Sequence, residues 1–206
     1  MPTVTPDAIK RRTPEYVAYR GIINLDNLLD LFGPDYEAIV SIYDDLKHFY
    51  GDDFLFWLQF GRAELYFDHF VEAENYLNQS LGIRDGHNFQ ARHHMGVLLL
   101  KRALFEENSA AANISANQGE EILRRQILER GGVDSYAYSA LVTHKLRYLG
   151  RWKPDNLPEQ IESLFRLSEE GMRKHPSEEA MREAHMEIYR AYLMTAVKPG
   201  READST

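Results

Sequence analysis

The amino-acid sequence predicts an all-α fold built from stacked helical hairpins. Apolar residues recur at helical spacing along most of the chain. No stretch of strand length alternates apolar with polar residues between hairpin turns, so a β-sheet is not expected. Small residues recur at a fixed interval as well, since Gly61 and Gly96 lie 35 positions apart, and so do Ala38 and Ala73. A repeat of this length is typical of helix–turn–helix arrays.

The first half of the chain is predicted to form four helices. Pro14 suits a first helical turn, and an apolar stripe continues from it to Phe32. Gly33-Pro34 ends that helix, while Asp52-Asp53 and Asp68-His69 mark the later breaks. The predicted spans are 14–32, 34–51, 55–66 and 71–81.

The second half continues the helical pattern with longer connections. A helix over 89–104 precedes a polar patch rich in Ala, Asn and Ser at 106–117, and the next helix ends at Glu129 before Gly131-Gly132. Helices over 135–149 and 159–174 flank a loop at 150–158 that holds Trp152. Ser177 and the glutamates after it predict the start of a last helix, which reaches about Val197.

These helices group into about four antiparallel hairpins and a C-terminal capping helix. The hairpins are expected at 19–52, 54–87, 89–132 and 133–176. We therefore predict one solenoid domain over 14–197, between a flexible N-terminal arm at 1–13 and a flexible tail at 198–206.

Composition excludes several classes of protein. A content of 44% hydrophobic and 12% aromatic residues predicts a folded core rather than a disordered chain. The net charge of -8 disfavours a general nucleic-acid binder and an electrostatic membrane anchor. The absence of cysteine excludes disulfides and thiolate metal sites. Without a secretory signal or a long apolar run at any point, the expected location is the cytoplasm.

The second hairpin carries a motif of a known family. Its aromatic and small residues stand at the spacings of the tetratricopeptide repeat (TPR): Trp57, Phe60-Gly61, Leu65-Tyr66, Phe70, Ala73, Leu77 and Ser80. The segment therefore resembles a TPR, and the resemblance implies that Gly61 and Ala73 lie where the two helices cross. The first hairpin departs from the motif, because Asp26 stands where the glycine is expected.

A second resemblance rests on the string FWLQFGRAEL…AENYLNQSL. It is similar to the helical-repeat sensor regions at the C-terminal ends of bacterial antiphage proteins, among them STAND-type NTPases and sirtuin-like effectors. This resemblance implies a role in bacterial defence or regulation, with any NTPase or NAD-consuming site outside this chain.

The TPR resemblance implies a concave groove lined by the first helix of each hairpin. Carried onto this sequence, the groove positions include Leu58, Gln59, Arg62, Tyr66, Gln90, His93, His94, Lys101, His144 and Lys145. These positions hold three Lys/Arg side chains and no carboxylate, which favours an acidic or C-terminal peptide as the partner. The chaperone-tail-binding clamp of the family has asparagines at two places where this chain has Gln59 and Arg62. Trp152, flanked by cations in its predicted loop, is a further candidate for an interface anchor.

The expected function is thus a protein-binding scaffold, adaptor or sensor, without catalytic, cofactor or metal residues. One alternative is a small all-α metal-dependent hydrolase or nucleotide-handling enzyme that uses His93, His94, His144 and Glu64. The adjacent pair His93-His94 argues against it, because neighbouring helical residues point about 100° apart and cannot face one ion together. A second alternative is self-assembly into a homo-oligomer through exposed terminal faces.

Overall fold

The computed structural model describes residues 13–83 and 88–196, and all regular structure within them is helical. The predicted all-α class is confirmed. The solenoid arrangement and the TPR family stay predictions. Except for Thr13, the predicted arm at 1–13 lies outside the described residues, and so does the predicted tail at 198–206. None of the described helices is long and apolar enough to cross a membrane.

The chain divides into two compact units between Ala91 and Arg92, and each is described by itself. The first unit contains α1 (Pro14–Ile22), α2 (Leu25–Phe32), α3 (Tyr36–Tyr50), α4 (Phe54–Tyr66) and α5 (Phe70–Ile83). Helix α6 (Phe89–Arg102) begins just before the division. The second unit continues with α7 (Ser109–Glu129), α8 (Ser135–Trp152), α9 (Leu157–Lys174) and α10 (Glu179–Ala196).

The single helix predicted over 14–32 is two helices. Asn24 has an extended backbone, and its side chain accepts a hydrogen bond from the amide of Asp26, so it caps the start of α2. The apolar stripe continues on both sides of this break, because Ile23, Leu25 and Leu28 are all buried. The hydrophobic period alone therefore did not reveal a break that contains neither glycine nor proline.

The polar patch predicted at 106–117 is mostly helix. Asn108 caps α7 by accepting a hydrogen bond from the amide of Ala111 at 2.9 Å. Ala112 and Ala116 are fully buried, so the small residues of this patch form a packing face.

The loop predicted from Gly150 begins later. Helix α8 runs to Trp152 and ends at Lys153, whose φ of 42° is left-handed and whose amide donates to the carbonyl of Leu149. Gly150 does not end the helix, because a helical glycine costs only about 1 kcal/mol relative to alanine.

Glycines stand at close helix contacts in both units. A Cβ added to Gly61 in α4 would lie 2.8 Å from Cγ of Leu77 in α5, and one added to Gly96 in α6 would lie 2.7 Å from Cγ of Leu123 in α7. Leu77 is the eighth residue of α5, whereas Leu123 is the fifteenth of α7. The seven extra residues make about two helical turns, so the same face of the helix meets the glycine.

Candidate functional site

The predicted groove residues of α4 are engaged within the first unit. Leu58 is 1% exposed, and Gln59 is 9% exposed. The side-chain oxygen of Gln59 accepts hydrogen bonds from the Leu25 amide at 3.3 Å and from Arg62 at 2.9 Å. The guanidinium of Arg62 also pairs with Asp26 at 3.0 Å. Arg62 and Gln59 thus link α4 to α2.

Two other predicted groove residues lie at the surface. Tyr66 is half exposed, and its ring meets Phe67 edge-on at 5.0 Å between centroids. Gln90 is exposed in the first turn of α6.

In the second unit, the predicted histidines and Lys101 are partly buried. His93 and His94 contact each other edge-on, with ring centroids 5.1 Å apart. Burial lowers the pKa of His144 to about 4, and repulsion from Arg147, Lys101 and His93 acts in the same direction. The structure therefore brings His144 close to two other predicted residues, Lys101 and His93.

Lys145 forms the most buried ion pair of the predicted set. Its side chain is 6% exposed, and its ammonium lies 3.0 Å from Oε2 of Glu120 and 4.7 Å from the ring centre of Tyr148. The other carboxylate oxygen of Glu120 accepts from Nε of Arg124 at 2.7 Å. Burial alone would raise the pKa of Glu120, but Lys145 and Arg124 outweigh it, so the pKa is lowered.

Trp152 is the last residue of α8 and is only partly exposed. Its indole N–H donates to the carbonyl of Ala103, just after α6, at 2.8 Å. The guanidinium of Arg151 lies 5.5 Å from the ring centre. The indole is therefore fixed in place against its own unit.

Lys145 and Trp152 both line an open cleft of about 890 Å³ in the second unit. Residues of α7 form one wall, residues of α8 form the floor, and residues 153–156 with the start of α9 form the other side. The lining residues are Ser109, Ala110, Asn113, Asn117, Glu120, Lys145, Tyr148, Trp152, Lys153, Pro154, Asp155, Asn156 and Gln160.

Four carboxamide side chains border this cleft. Oδ1 of Asn113 accepts from the hydroxyl of Tyr148 at 3.3 Å, and Oδ1 of Asn156 accepts from the side-chain Nε2 of Gln160 at 2.8 Å. Asn117 is exposed, and its side chain makes no hydrogen bond to the part of the chain that the structure describes. These side chains therefore keep both donors and acceptors available for a ligand.

The charges around the cleft balance. Glu120 and Asp155 are acidic, Lys145 and Lys153 are basic, and Glu120 is already paired with Lys145. A phosphate-rich ligand is not favoured, because its binding requires an excess of positive charge.

Sequence reasoning missed the α7 side of the cleft. The predicted groove positions lie in the first helix of each predicted hairpin, whereas α7 corresponds to a second helix. The sequence does contain a pattern that indicates this polar face. Ser109, Asn113 and Asn117 follow one another at intervals of four, so they share one face of a helix. Ser109 and Asn113 belong to the two turns by which α7 exceeds α5.

A separate buried acid lies in the first unit. Glu64 is 2% exposed, and Oε2 lies 2.9 Å from Nδ1 of His69 and 3.4 Å from the hydroxyl of Tyr36. Burial raises the pKa of Glu64, against the lowering effect of His69. The described residues contain no group of three or more His, Asp or Glu side chains that could hold a metal ion.

Comparison of the chain with models of protein families, with curated proteins and with solved structures finds no match in any of the three.

Proposed function

We propose that this protein is a polypeptide-binding module and that the cleft beside α7 holds an extended segment of its partner. The observation that supports this proposal is the row of carboxamides along the cleft. A carboxamide offers an N–H donor and a C=O acceptor, the same groups that a peptide main chain needs to pair with.

The length of the cleft suits a short segment. Its α7 wall runs from Ser109 to Glu120, which is about 16 Å at 1.5 Å per residue. An extended peptide advances about 3.3 Å per residue, so roughly five residues fit along this wall.

The floor of the cleft is held rigid before any ligand arrives. Lys145 is locked by Glu120, and Trp152 is locked by the carbonyl of Ala103. Side chains that are already ordered lose little entropy on binding. The partly exposed ring of Trp152 can then contact apolar side chains of the partner.

We propose main-chain recognition in preference to the acidic partner expected from the sequence. Among the cations behind that expectation, Arg62 is matched by Asp26 and Lys145 by Glu120. A substitution of Arg62 by Glu would also disturb its hydrogen bond to Gln59, so it does not test ligand charge cleanly.

Selection of random linear peptides on the purified protein tests the proposal. Affinities of the selected peptides are then measured by fluorescence anisotropy for the wild type and for Asn113→Ala combined with Asn117→Ala. We expect the double substitution to weaken binding about tenfold or more, since each lost hydrogen bond contributes about 0.5–1.5 kcal/mol.

The matched control is Gln118→Ala. Gln118 is exposed on the same helix but does not line the cleft, so this substitution is expected to leave the affinity unchanged. Failure to enrich any peptide, or equal affinities for all three proteins, would contradict a peptide site in this cleft.

A further inference from the structure

The last helix has two apolar faces, and only one of them packs within the second unit. Met181, Ala184 and Ile188 follow helical spacing and are almost fully buried. The other face holds Met186, Leu193 and Met194, which are 48%, 43% and 72% exposed. A helix with a single buried face usually carries polar residues opposite it.

This second face is open and carries charges of both signs. A depression of about 660 Å³ lies along it, lined by Arg182, Glu183, Met186, Glu187 and Arg190. All five residues belong to α10, so the depression follows a single helix and leaves room for another element beside it.

The order of these charges allows two copies of α10 to pair antiparallel with opposite charges facing each other. In an antiparallel pair of α10 helices with its twofold axis between positions 186 and 187, position 183 of one copy faces position 190 of the other. Glu183 of each copy then faces Arg190 of the other, which gives two equivalent ion pairs. Met186 lies next to the axis. A parallel pair would instead place Glu183 opposite Glu183 and Arg190 opposite Arg190, which is repulsive.

Both charges are available for such contacts. Neither Glu183 nor Arg190 forms an ion pair within the described residues, whereas Arg182 donates to the carbonyls of Pro176 and Ser177. Available charges beside an exposed apolar stripe are typical of a helix that pairs with another.

We propose that the protein forms a twofold-symmetric dimer through the outer face of α10, with reciprocal Glu183–Arg190 pairs. An 18-residue helix is about 27 Å long, so the contact between two such helices is small. The dimer is accordingly weak and dissociates on dilution.

Sedimentation velocity over about a hundredfold range of concentration tests the proposal. The wild type is expected to show a reversible monomer–dimer equilibrium. Arg190→Glu alone and Glu183→Arg alone are each expected to weaken association about tenfold or more, because symmetry makes every reversal act at two pairs. The two reversals together restore opposite charges and are expected to restore the dimer.

Arg166→Glu is the control, since Arg166 is exposed on α9 and lies outside the proposed interface. Circular dichroism verifies that every variant remains folded. A wild type that stays monomeric throughout, or a double reversal that associates no better than the single ones, overturns the proposal. Peptide binding in the α7 cleft is measured on the same variants and is expected to be unchanged, so the two proposals fail independently.

Discussion

Lys145 pairs with Glu120 in a place that water hardly reaches. Its side chain is 6% exposed, and Glu120 supplies the opposite charge at 3.0 Å. A buried ion pair adds little net stability by itself, because desolvation offsets most of the attraction. Its effect is rather to fix Lys145 and Tyr148 in one arrangement on the cleft floor.

Removing one partner of this pair is expected to be costly. Glu120→Gln leaves the Lys145 ammonium without its counter-charge, and we expect the free energy of unfolding to fall by about 3 kcal/mol. Glu121→Gln is a close control, because Glu121 pairs with Arg125 four residues on, just as Glu120 pairs with Arg124, but on an exposed face. The control should change stability by less than about 0.5 kcal/mol.

Urea unfolding monitored by circular dichroism measures both variants. Equal losses for Glu120→Gln and Glu121→Gln would show that Lys145 does not depend on the buried carboxylate.

His144 makes stability depend on pH. Its pKa is lowered from 6.5 to about 4 in the folded protein by burial and by nearby cations. The unfolded chain therefore binds the proton more readily than the folded protein between these values. We therefore expect the contribution of His144 to the free energy of unfolding to be fully present above pH 6.5. It should decrease as the pH falls towards 4, by up to about 3 kcal/mol.

We expect His144→Leu to flatten this part of the stability profile. The variant and the wild type are compared by urea unfolding at pH values from 7 down to 4. His48→Gln, at an exposed position of α3, serves as the control and should keep the wild-type slope. An unchanged slope in His144→Leu would mean that other groups cause the loss of stability in acid.

At the scale of elements, the backbones of α6 and α7 approach each other closely in the second unit. A Cβ on Gly119 would lie 2.7 Å from the carbonyl oxygen of Gly96 and 3.0 Å from the backbone nitrogen of Leu100. Backbone atoms cannot move aside as a flexible side chain can, so a larger residue has to separate the two helices. Gly119 therefore fixes the position of α7 and, with it, one wall of the cleft.

Gly119→Ala is expected to destabilise the protein by about 1–3 kcal/mol, because it overpacks this crossing. Gly150→Ala is the matched control, since a Cβ there meets no atom within 4 Å. That change should stabilise the protein by about 0.5–1 kcal/mol through helix propensity. Thermal unfolding of both variants gives the comparison, and destabilisation by Gly150→Ala, or none by Gly119→Ala, would contradict it.

The α7 helix also connects the fold to the proposed function. Its two extra turns preserve the contact between Gly96 and Leu123 while they add Ser109 and Asn113 to the cleft. About seven residues complete two turns of an α-helix, so an insertion of this size keeps the buried face in register. The sequence revealed the insertion as a polar patch, but composition alone did not identify it as helix.

At the scale of the whole molecule, each unit has its own hydrophobic core. In the first unit, Tyr43 stacks on Phe60 at 4.9 Å, and its hydroxyl donates to the carbonyl of Ile23. In the second unit, Leu123, Tyr138 and Leu164 belong to one buried cluster. The proposed cleft and the proposed dimer face both belong to the second unit.

The sequence by itself determined the helical class and most of the helices. Hydrophobic period and helix breakers are local properties, so they predicted the all-α class and most helix spans without knowledge of any distant contact. The repeated interval also placed Gly61 and Gly96 in corresponding helices, and an added Cβ at either position would meet a leucine of the following helix.

Only the tertiary structure decided which side chains remain available to a ligand. Arg62, Lys145 and Trp152 have the composition of a binding surface, yet Asp26, Glu120 and the carbonyl of Ala103 engage them. Those partners lie between 25 and 49 positions away along the chain, so no local pattern could reveal them. The same folding that occupies these side chains leaves Asn117 open in the cleft and the outer face of α10 uncovered within the second unit.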